Sequence, residues 1–534
     1  MLRLFFSCLA VLTFCLLNLA TAETVVKLDG PDAEKQWKFT QETASLTNGE
    51  LVFDGMNSIS KGFYLPLKWD DATLSAKFMV QPGPDDKVLA CGFIIRAASA
   101  ANALRYYYVH FDRRSAILVR FDDNSEWTEI TRVAVPNRES GKWYDASLEI
   151  KGDLLTVSFD GVKLYDAKDS SLQGAGRIGF YGSQGVVHVK DIRVDGVAQE
   201  TKEDLIIPGP LWVYVCAGAS VVPGGYAAFP DVCRLQDGRL LSVFYAGNGH
   251  VSLPNESLHK GGYIVACYSS DEGKTWTAPV TIIDTPLDDR DPSIVQLADG
   301  RILCTFFTFQ PKDRRDETKT GIVESSDNGK TWSEPRFLFT NVPVSQPIRV
   351  LSDGTLLMPL YAFPEDDGEP SVGAVSLSYD AGKTWSEVIV IPNGGRGFDA
   401  ETDVIELKDS TLYAIQRPRE GSMGVSYSKD MGKTWSVTVD AGFPGHCPYL
   451  LRTKSDVILL ATRLPRTNLR ISRDECQTWS ESILVDNFFG AYPSMVELED
   501  GSILILYYEE GPGSGIRARK FRVTDSGVEW QTFE

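Results

Sequence analysis

Ionisable side chains stand immediately before six apolar, strand-like segments in the second half of the chain. The six stretches read YAAFPDV, DDRDPSI, VSQPIRV, FDAETDV, PGHCPYL and GAYPSMV. Together they offer carboxylates, a guanidinium, an imidazole, an amide and a phenol, which are groups that transfer protons or bind anions. Residues that only line a channel would not need this range of ionisable groups. A single one of them, above all Gln346 or Asp403, could nevertheless line the channel and bond to water. The candidates are Arg290, Asp291, Gln346, Glu401, Asp403, His446 and Tyr492.

The unit that follows each stretch is an apolar strand, an acidic turn and a second apolar strand. It is written six times, as VCRLQDGRLLSVF, IVQLADGRILCTF, RVLSDGTLLMPL, VIELKDSTLYAI, LLRTKSDVILLA and MVELEDGSILIL. An aspartate that opens a short turn between alternating apolar runs is typical of a tight β-hairpin. The turn residues are Asp237, Asp299, Asp353, Asp409, Asp456 and Asp500.

A second repeat, S-x-D-x-(G)-x-T-W, occurs five times, from Ser269, Ser325, Ser378, Ser428 and Ser472. Its aspartate can accept bonds from its own turn, its glycine permits positive φ, and its tryptophan can bury on the order of 200 Å² between neighbouring units. One carboxylate per copy is too few for a metal site. Six four-stranded units in a ring leave few exposed strand edges, so the sequence predicts a six-bladed β-propeller over residues 211–534.

The remainder of the chain carries no copy of either repeat. Residues 1–22 have one positive charge, an apolar stretch and the ending Ala20-Thr21-Ala22, which predicts a secretory signal, with an uncleaved anchor as the alternative. Residues 23–197 alternate apolar and polar positions between Gly, Asp and Asn turns, which predicts an all-β sandwich. Residues 198–210 are charged and then proline-rich, and are expected to form the linker.

Composition narrows the possible partners. The net charge of −19 argues against nucleic acid or an anionic membrane, so an anionic substrate would need a local basic pocket. Seven cysteines lie outside the signal segment, scattered through apolar runs, and are expected to be buried rather than paired or zinc-bound. No residue pattern calls for a cofactor. We expect a secreted or periplasmic protein that does not insert in the membrane after signal cleavage and whose partner is a glycan; its oligomeric state is left open.

The five-fold phrase is the Asp box, and the predicted propeller resembles that of the sialidase superfamily. The closing stretch GRIGFYG…V.V.DIRV of the first domain resembles the concanavalin-like jelly roll of laminin-G-type and keto-disaccharide-hydrolase-like domains. For the propeller the resemblance implies an exo-acting glycosidase that removes an acidic, sialic-acid-like sugar. Because the anomeric carbon of such a sugar bears a carboxylate, the family uses a neutral tyrosine as nucleophile, a glutamate as its base and three arginines to hold the substrate.

Matching the motifs carries these roles to particular residues. GAYPSMVELEDG implies Tyr492 as the nucleophile, and FDAETDVIELKDSTLYAIQRP implies Glu401 as its base followed by Arg417. RTNLRISRDECQTW implies a further substrate-binding arginine at Arg466, with Arg463 next in order.

The first blade departs from the family pattern. Tyr226-Ala-Ala-Phe-Pro stands where the family has its first arginine, and Ala246–Tyr268, where the family has its acid/base aspartate, contains no aspartate. Nearby replacements are Arg290 for the arginine and either His250 or Glu256 as a possible acid/base. His446 is a further candidate substrate-binding residue.

Three functions stay open. The first is the hydrolase, with altered specificity. The second is a β-eliminating lyase on uronate glycans, in which arginines neutralise the carboxylate while Tyr492 and His446 move protons. The third is a non-catalytic propeller that binds glycans.

Overall fold

The structure is a computed structural model of the 534-residue chain. It describes residues 22–40, 43–54, 60–82, 90–100, 103–112, 114–121, 127–135, 138–183, 185–205, 212–218, 221–254, 256, 259–309, 318–344, 346–363, 370–464, 466–486, 490–509 and 514–533. The chain divides into two compact units, Met1–Pro208 and Gly209–Glu534. The predicted signal segment lies outside the described residues except for Ala22, and so does the second half of the predicted linker.

The first unit is built from antiparallel strands and one 3-10 helix, Glu34–Gln36. Its strands are β1 (Ala22–Val25), β2 (Trp37–Phe39), β3 (Ala44–Thr47), β4 (Glu50–Asp54), β5 (Ser60–Tyr64), β6 (Leu67–Pro82), β7 (Ala90–Ala100), β8 (Ala103–Phe111), β9 (Ser115–Phe121), β10 (Trp127–Ala134), β11 (Trp143–Lys151), β12 (Leu154–Phe159), β13 (Val162–Lys168), β14 (Arg177–Ser183) and β15 (Gly185–Glu200).

These strands form two sheets that enclose one core. One sheet has the order β13-β12-β11-β6-β15-β4-β3, with β1 on β15, and the other has the order β10-β9-β8-β7-β14-β5-β2. The burial pattern of β12 shows why the two sheets pack face to face. Leu155, Val157 and Phe159 are buried while the residues between them are not, as a half-buried strand requires. The predicted β-sandwich is confirmed.

The second unit is also all-β in its described residues. Its strands are β16 (Trp212–Cys216), β17 (Tyr226–Arg234), β18 (Leu240–Gly247), β19 (Tyr263–Ser269), β20 (Val280–Ile283), β21 (Asp288–Gln296), β22 (Ile302–Phe309), β23 (Lys319–Ser325), β24 (Arg336–Thr340), β25 (Arg349–Val350), β26 (Leu356–Ala362), β27 (Val372–Ser378), β28 (Ile389–Val390), β29 (Phe398–Glu406), β30 (Leu412–Pro418), β31 (Gly424–Ser428), β32 (Val439–Asp440), β33 (His446–Arg452), β34 (Ile458–Arg463), β35 (Thr467–Ser472), β36 (Ile483–Leu484), β37 (Gly490–Glu497), β38 (Ile503–Glu509), β39 (Ile516–Thr524) and β40 (Gly527–Gln531).

Consecutive groups of four strands form the blades, and the predicted six-bladed propeller is confirmed in the described part of the chain. Blades 1 to 5 are β17–β20, β21–β24, β25–β28, β29–β32 and β33–β36, each paired in sequence order. Blade 6 takes β37, β38 and β39 from the end of the chain and β16 from the start of the unit. Strand β17 contacts both β21 and β37, so the ring closes and the innermost strands surround its axis.

The S-x-D-x-(G)-x-T-W phrases are hairpin staples between the third and fourth strands of blades 1 to 5. In blade 1 the Asp271 carboxylate accepts hydrogen bonds from the Thr275 amide (2.9 Å), the Thr275 hydroxyl (2.6 Å) and Ser269 (2.8 Å). The same bonds recur in the other four copies. Each tryptophan packs on an apolar cluster, as Trp276 does on that of blades 6 and 1, so the expected structural role is confirmed.

The inner hairpin turns follow the sequence expectation in all blades but one. In the others the predicted aspartate accepts a bond from the amide two residues on, as Asp237 does from Arg239 (3.1 Å). In blade 5 Asp456 instead adopts φ +63°, the left-handed position that Gly238 holds in blade 1. The expectation for Asp456 was therefore wrong by one residue, because Ser455 stands where the other blades have their acceptor.

A β-bulge interrupts the innermost strand of blades 1, 2, 4, 5 and 6 close to its start. At four of these bulges a residue directly before a proline has positive φ: Phe229 (+54°), Asp291 (+45°), Cys447 (+51°) and Tyr492 (+50°). Non-glycine residues rarely adopt this conformation, and a following proline disfavours it further. Such strain is typical of functional sites, where a bulge re-aims a side chain.

Candidate active site

We use the term channel mouth for the residues at the bulges and the equivalent positions of the innermost strands: Phe229, Asp291, Gln346, Glu401, Cys447 and Tyr492. Phe229, Asp291, Gln346 and Tyr492 line one small pocket together with the flanking prolines. The fold thus brings side chains that lie more than 260 residues apart in the sequence into one site.

Tyr492 and Glu401 are directly bonded across the mouth. The Tyr492 hydroxyl donates a hydrogen bond of 2.5 Å to Glu401 Oε1. On the other side of the carboxylate, Arg417 Nη1 lies 2.9 Å from Oε1 and 3.1 Å from Oε2. Glu401 is 2% exposed, so this pair of contacts fixes its orientation in a largely water-free environment.

The electrostatics favour an ionised Glu401 and a neutral Tyr492. Burial alone would raise the pKa of Glu401, but the charge of Arg417, the Tyr492 hydrogen bond and the charge of Arg463 together lower it below its usual value. Burial, and then the negative charge of Glu401, raise the pKa of Tyr492 well above its usual value. A phenol bonded to an ionised carboxylate can transfer its proton to that carboxylate as its oxygen forms a bond elsewhere.

Two arginines flank this pair at equivalent positions of neighbouring blades. Arg417 is the sixth residue of β30 and Arg463 the sixth of β34. Arg417 is occupied by carboxylates, since its Nη2 lies 2.8 Å from the half-exposed Asp399 while Nη1 contacts Glu401. Arg463 Nη2 lies 3.5 Å from His446 Nδ1, and its charge acts on both Glu401 and Tyr492.

His446 and Arg466 take different positions relative to the mouth. Burial, followed by the charges of Arg417 and Arg463, lowers the pKa of His446 to about 4, so its ring is neutral near neutral pH. Arg466 lies in the turn between β34 and β35, where its carbonyl accepts bonds from Leu464 and Asn468. The charge of Arg463, which the sequence placed second, acts on the Tyr492–Glu401 pair.

Blade 1 contributes aromatic rings to the channel mouth. The Phe229 ring lies 4.9 Å from that of Tyr492 and 5.2 Å from that of His250. Arg290 lies behind it, with its guanidinium carbon 5.0 Å from the centre of the Phe229 ring. Arg290 is 6% exposed and has Asp288 at 3.9 Å and Asp291 at 4.0 Å, so carboxylates already balance its charge.

The two acid/base candidates of the first blade differ in their position relative to the channel mouth. His250 is exposed beside the mouth, and its Nδ1 lies 3.2 Å from the Tyr226 hydroxyl. Glu256 is exposed, and no hydrogen bond or ion pair joins it to the described residues of the mouth. Asp288 anchors the loop between β18 and β19, which contains His250. Its carboxylate accepts hydrogen bonds from Tyr245 (2.9 Å), Ser252 (3.3 Å) and Gly262 (3.2 Å).

Asp403 and Gln346 are the two candidates that could simply line the channel, and the structure places them in different surroundings. Asp403 accepts bonds from the amides of Val404 (2.7 Å) and Leu450 (2.6 Å) and forms an ion pair with Arg349, so it ties blade 4 to blade 5. Its side chain is therefore structural. Gln346 is 6% exposed and faces the pocket.

Other described parts of the chain offer weaker candidates. A groove of about 520 Å³ is lined by Tyr268, Trp332 and their neighbours, but it lies at a hairpin staple and contains no paired acid and base. Among the described residues no group of three or more His, Cys, Asp or Glu side chains could hold a metal ion. No described helix is long and apolar enough to cross a membrane.

Comparison with protein families gives one match for each unit. Residues 261–505 match the family described as BNR repeat-like domain, and residues 23–195 match the 3-keto-alpha-glucoside-1,2-lyase-like domain.

Among curated proteins, the chain is similar to bacterial sialidases at low identity. It is 26% identical over 240 residues to the sialidase of Paraclostridium sordellii and 25% identical over 243 residues to that of Clostridium perfringens. Each alignment covers 40% of this chain, and the aligned parts are 57% and 61% of those relatives' length.

Solved structures share the fold. A Dyadobacter fermentans protein of unknown function superposes with a TM-score of 0.50 at 23% identity, covering 60% of this chain and all of that one. A variant of the NanB sialidase of Streptococcus pneumoniae gives a TM-score of 0.50 at 14% identity, covering 88% of this chain and 98% of that one. The repeats, the six blades and the two family matches together support a BNR-repeat protein of the sialidase superfamily, with a BNR repeat-like domain over residues 261–505 and a 3-keto-alpha-glucoside-1,2-lyase-like domain over residues 23–195.

Proposed function

We propose that the chain is a sialidase-like exo-glycoside hydrolase that removes an acidic terminal sugar. The observation that carries the proposal is the hydrogen-bonded series Tyr492–Glu401–Arg417 at the channel mouth. The sialidases among the similar proteins support the same class of reaction.

In the proposed reaction Tyr492 attacks the anomeric carbon. As its oxygen forms the new bond, its proton passes to Glu401, which is ionised and 2.5 Å away. The bond from the anomeric carbon to the leaving oxygen breaks, and a glycosyl-tyrosine intermediate is formed. The leaving oxygen takes a proton from an acid group of the mouth. Water then displaces the tyrosine and gives a proton to that group, and Glu401 returns the phenol proton to Tyr492. Two displacements at one carbon predict retention of the anomeric configuration.

The Arg417 guanidinium has a positioning task in this proposal. Its Nη1 contacts both oxygens of Glu401, so it keeps the base ionised and aimed at the phenol. Its Nη2 is held by Asp399, with which an anionic sugar would have to compete. Arg463 is then the stronger candidate for binding the acidic group, with neutral His446 as a neighbouring hydrogen-bond partner.

The changed first blade favours altered specificity. Charge-assisted hydrogen bonds contribute about 1.5–3 kcal/mol each, so the loss of one arginine weakens recognition of a sialic-acid carboxylate about 10- to 150-fold. Arg290 is the possible replacement, but it lies behind Phe229 and beside two aspartates. We therefore expect weak cleavage of simple sialosides and a preference for a differently placed anion.

The test is turnover of a panel of sialosides, uronosides and neutral exo-glycosides by the full chain and by Tyr492→Phe. We expect hydrolysis of an acidic glycoside by the wild type and a loss of at least about 1,000-fold in the variant. Tyr508→Phe is the matched control, because it removes the hydroxyl of an adjacent tyrosine whose ring lies 6.1 Å from that of Tyr492. Full turnover by folded Tyr492→Phe would remove Tyr492 from its role.

A lyase acting on uronate glycans is the second candidate. The specific observation in its favour is the neutral imidazole of His446 beside Arg463, which could accept a proton next to a bound carboxylate. It is distinguished in the same panel by ultraviolet absorbance of an unsaturated product. Glycan binding without turnover of any substrate would instead favour the non-catalytic function.

A further inference from the structure

Asp291 is a carboxylate at the channel mouth that lies beside Arg290 but forms no hydrogen bond with it. Its side chain is 12% exposed and lines the same pocket as Tyr492. Its Oδ1 is buried and has no hydrogen-bond partner among the residues that the structure describes, and the same holds for the nearest Arg290 nitrogen, Nε, which is 4.0 Å away. A buried acceptor left unpaired is destabilising because it has lost its hydrogen bonds to water, so a group of this kind calls for an explanation.

Two other buried aspartates of the inner strands provide the comparison. Asp231 accepts hydrogen bonds from the amides of Val232 and Ile294, each at 2.8 Å. Asp403 accepts hydrogen bonds from the amides of Val404 and Leu450 and forms an ion pair with Arg349. Both therefore join neighbouring blades. Asp291 has no comparable bonds among the described residues, and its backbone is held at φ +45° before Pro292 by the bulge of β21. The strand is distorted where it presents this carboxylate to the pocket.

We propose that Asp291 is the proton donor to the leaving oxygen and the base for the attacking water. This inference rests on the proposed hydrolase function. In the first step the Asp291 carboxyl transfers its proton to the glycosidic oxygen as the bond to the anomeric carbon breaks, while the Tyr492 oxygen forms its bond and Glu401 takes the phenol proton. The alcohol leaves neutral. In the second step Asp291 takes a proton from water, the water oxygen bonds to the anomeric carbon, and Tyr492 regains its proton from Glu401.

The surroundings of Asp291 suit a proton donor. Burial raises the pKa of Asp291 to about 6; Arg290 and His250 oppose this rise, whereas Glu401 and Asp288 add to it. The phenols of Tyr492 and Tyr361 also face it and stay neutral. Asp291 and Glu401 thus differ in the way that an acid and a base at one site must, because the pKa of one carboxyl is raised and that of the other is lowered.

The experiment compares leaving groups. Wild type, Asp291→Asn and His250→Gln are assayed as full chains on the methyl and the 2,4-dinitrophenyl glycosides of the sugar found by the glycoside panel. A missing proton donor slows departure of methanol, which needs protonation, but hardly that of a dinitrophenolate. We expect Asp291→Asn to lose at least about 100-fold in kcat/KM on the methyl glycoside and less than about 10-fold on the activated one. We expect His250→Gln to lose the same small factor on both.

The outcomes separate the two proposals. Equal losses of Asp291→Asn on both glycosides, or no loss on either, overturn the assignment of Asp291 while leaving the hydrolase intact. A selective loss in His250→Gln instead assigns the donor to His250. No turnover of any glycoside by the wild type overturns the hydrolase and this assignment together. Far-ultraviolet circular dichroism and the unfolding midpoint of each variant identify any loss that is due to misfolding.

Discussion

The propeller blades share one repeat, but their outer ends are nearly identical from blade to blade whereas their inner ends differ. At the outer end, five copies of one hairpin staple make the same hydrogen bonds at nearly the same distances, from Asp271 in blade 1 to Asp474 in blade 5. At the inner end, the equivalent positions hold phenylalanine, aspartate, glutamine, glutamate, cysteine and tyrosine. The comparison indicates that the staples maintain the fold, whereas the differences among blades at the mouth create the site.

The comparison extends to the second strand of each blade. The sixth residue of that strand is Tyr245, Phe307, Tyr361, Arg417, Arg463 or Tyr508, so a ring of large side chains surrounds the mouth. Only blades 4 and 5 place a cation there. Positive charge is therefore concentrated next to the Tyr492–Glu401 pair rather than spread around the ring.

Among the candidate substrate-binding residues, the largest effect is expected from Arg463. Arg463→Ala removes charge-assisted bonds worth about 1.5–3 kcal/mol, so kcat/KM for an acidic glycoside should fall about 10- to 150-fold, mostly through KM. Arg466→Ala, three residues away in the adjoining turn, should change it less than about 3-fold. Steady-state kinetics of both variants provide the measurement. A larger loss in Arg466→Ala would show that the turn, and not the end of β34, presents the substrate-binding arginine.

The pH dependence of kcat/KM should be set by two carboxyl groups of the mouth, Glu401 and Asp291. Glu401 must be ionised to act as a base, and its lowered pKa keeps it ionised below the usual carboxyl range, so activity should persist on the acidic side. Asp291 must be protonated to act as an acid, so kcat/KM should fall about 10-fold per pH unit above about pH 6. A profile of kcat/KM from pH 4 to 9 checks this. A flat profile from pH 5 to 8 contradicts the pairing of these two carboxyls.

A smaller effect is expected from Arg290. Since its charge lies beside Asp288 and Asp291, Arg290→Ala should lower kcat/KM by about 10-fold through the changed charge of the site. Arg473→Ala is the surface control in the same unit, because its side chain is exposed. Efficient turnover of simple sialosides that is unaffected by Arg290→Ala would contradict both the altered specificity and the role of Arg290.

The staples should show the smallest effect on activity. Asp271→Ala removes three hydrogen bonds of one hairpin, so the free energy of unfolding should fall by about 1–2 kcal/mol. The kcat/KM of the folded protein should remain unchanged. Denaturant unfolding together with the glycosidase assay measures both quantities. A large loss of activity at unchanged stability would remove the distinction between the two ends of the blades.

The architecture could be predicted from sequence because its signals are local. Each staple is contained in eight residues, and each inner hairpin in about a dozen, so repetition alone gave six blades. The Tyr492–Glu401 contact, in contrast, joins residues 91 positions apart, and only resemblance to a family brought them together before the structure did.

Other features of the site depend on register and on neighbouring blades. Arg463 matches Arg417 when the strands are aligned from Ile458 and Leu412, a signal that was present in the sequence. The distinct state of Asp291 had no such signal. Whether a buried carboxylate is satisfied depends on amides from the next blade, which bond Asp231 and Asp403 but not Asp291.

The most direct test of the central claim is to locate the covalent intermediate. The wild-type chain is mixed with the activated glycoside of the best sugar, quenched with acid during turnover and digested, and the peptides are analysed by mass spectrometry. The account predicts one glycosyl group on the peptide that contains Tyr492 and none on the same peptide of Tyr492→Phe. A glycosyl group on Glu401 or on any other residue would contradict it, as would turnover with inversion of the anomeric configuration.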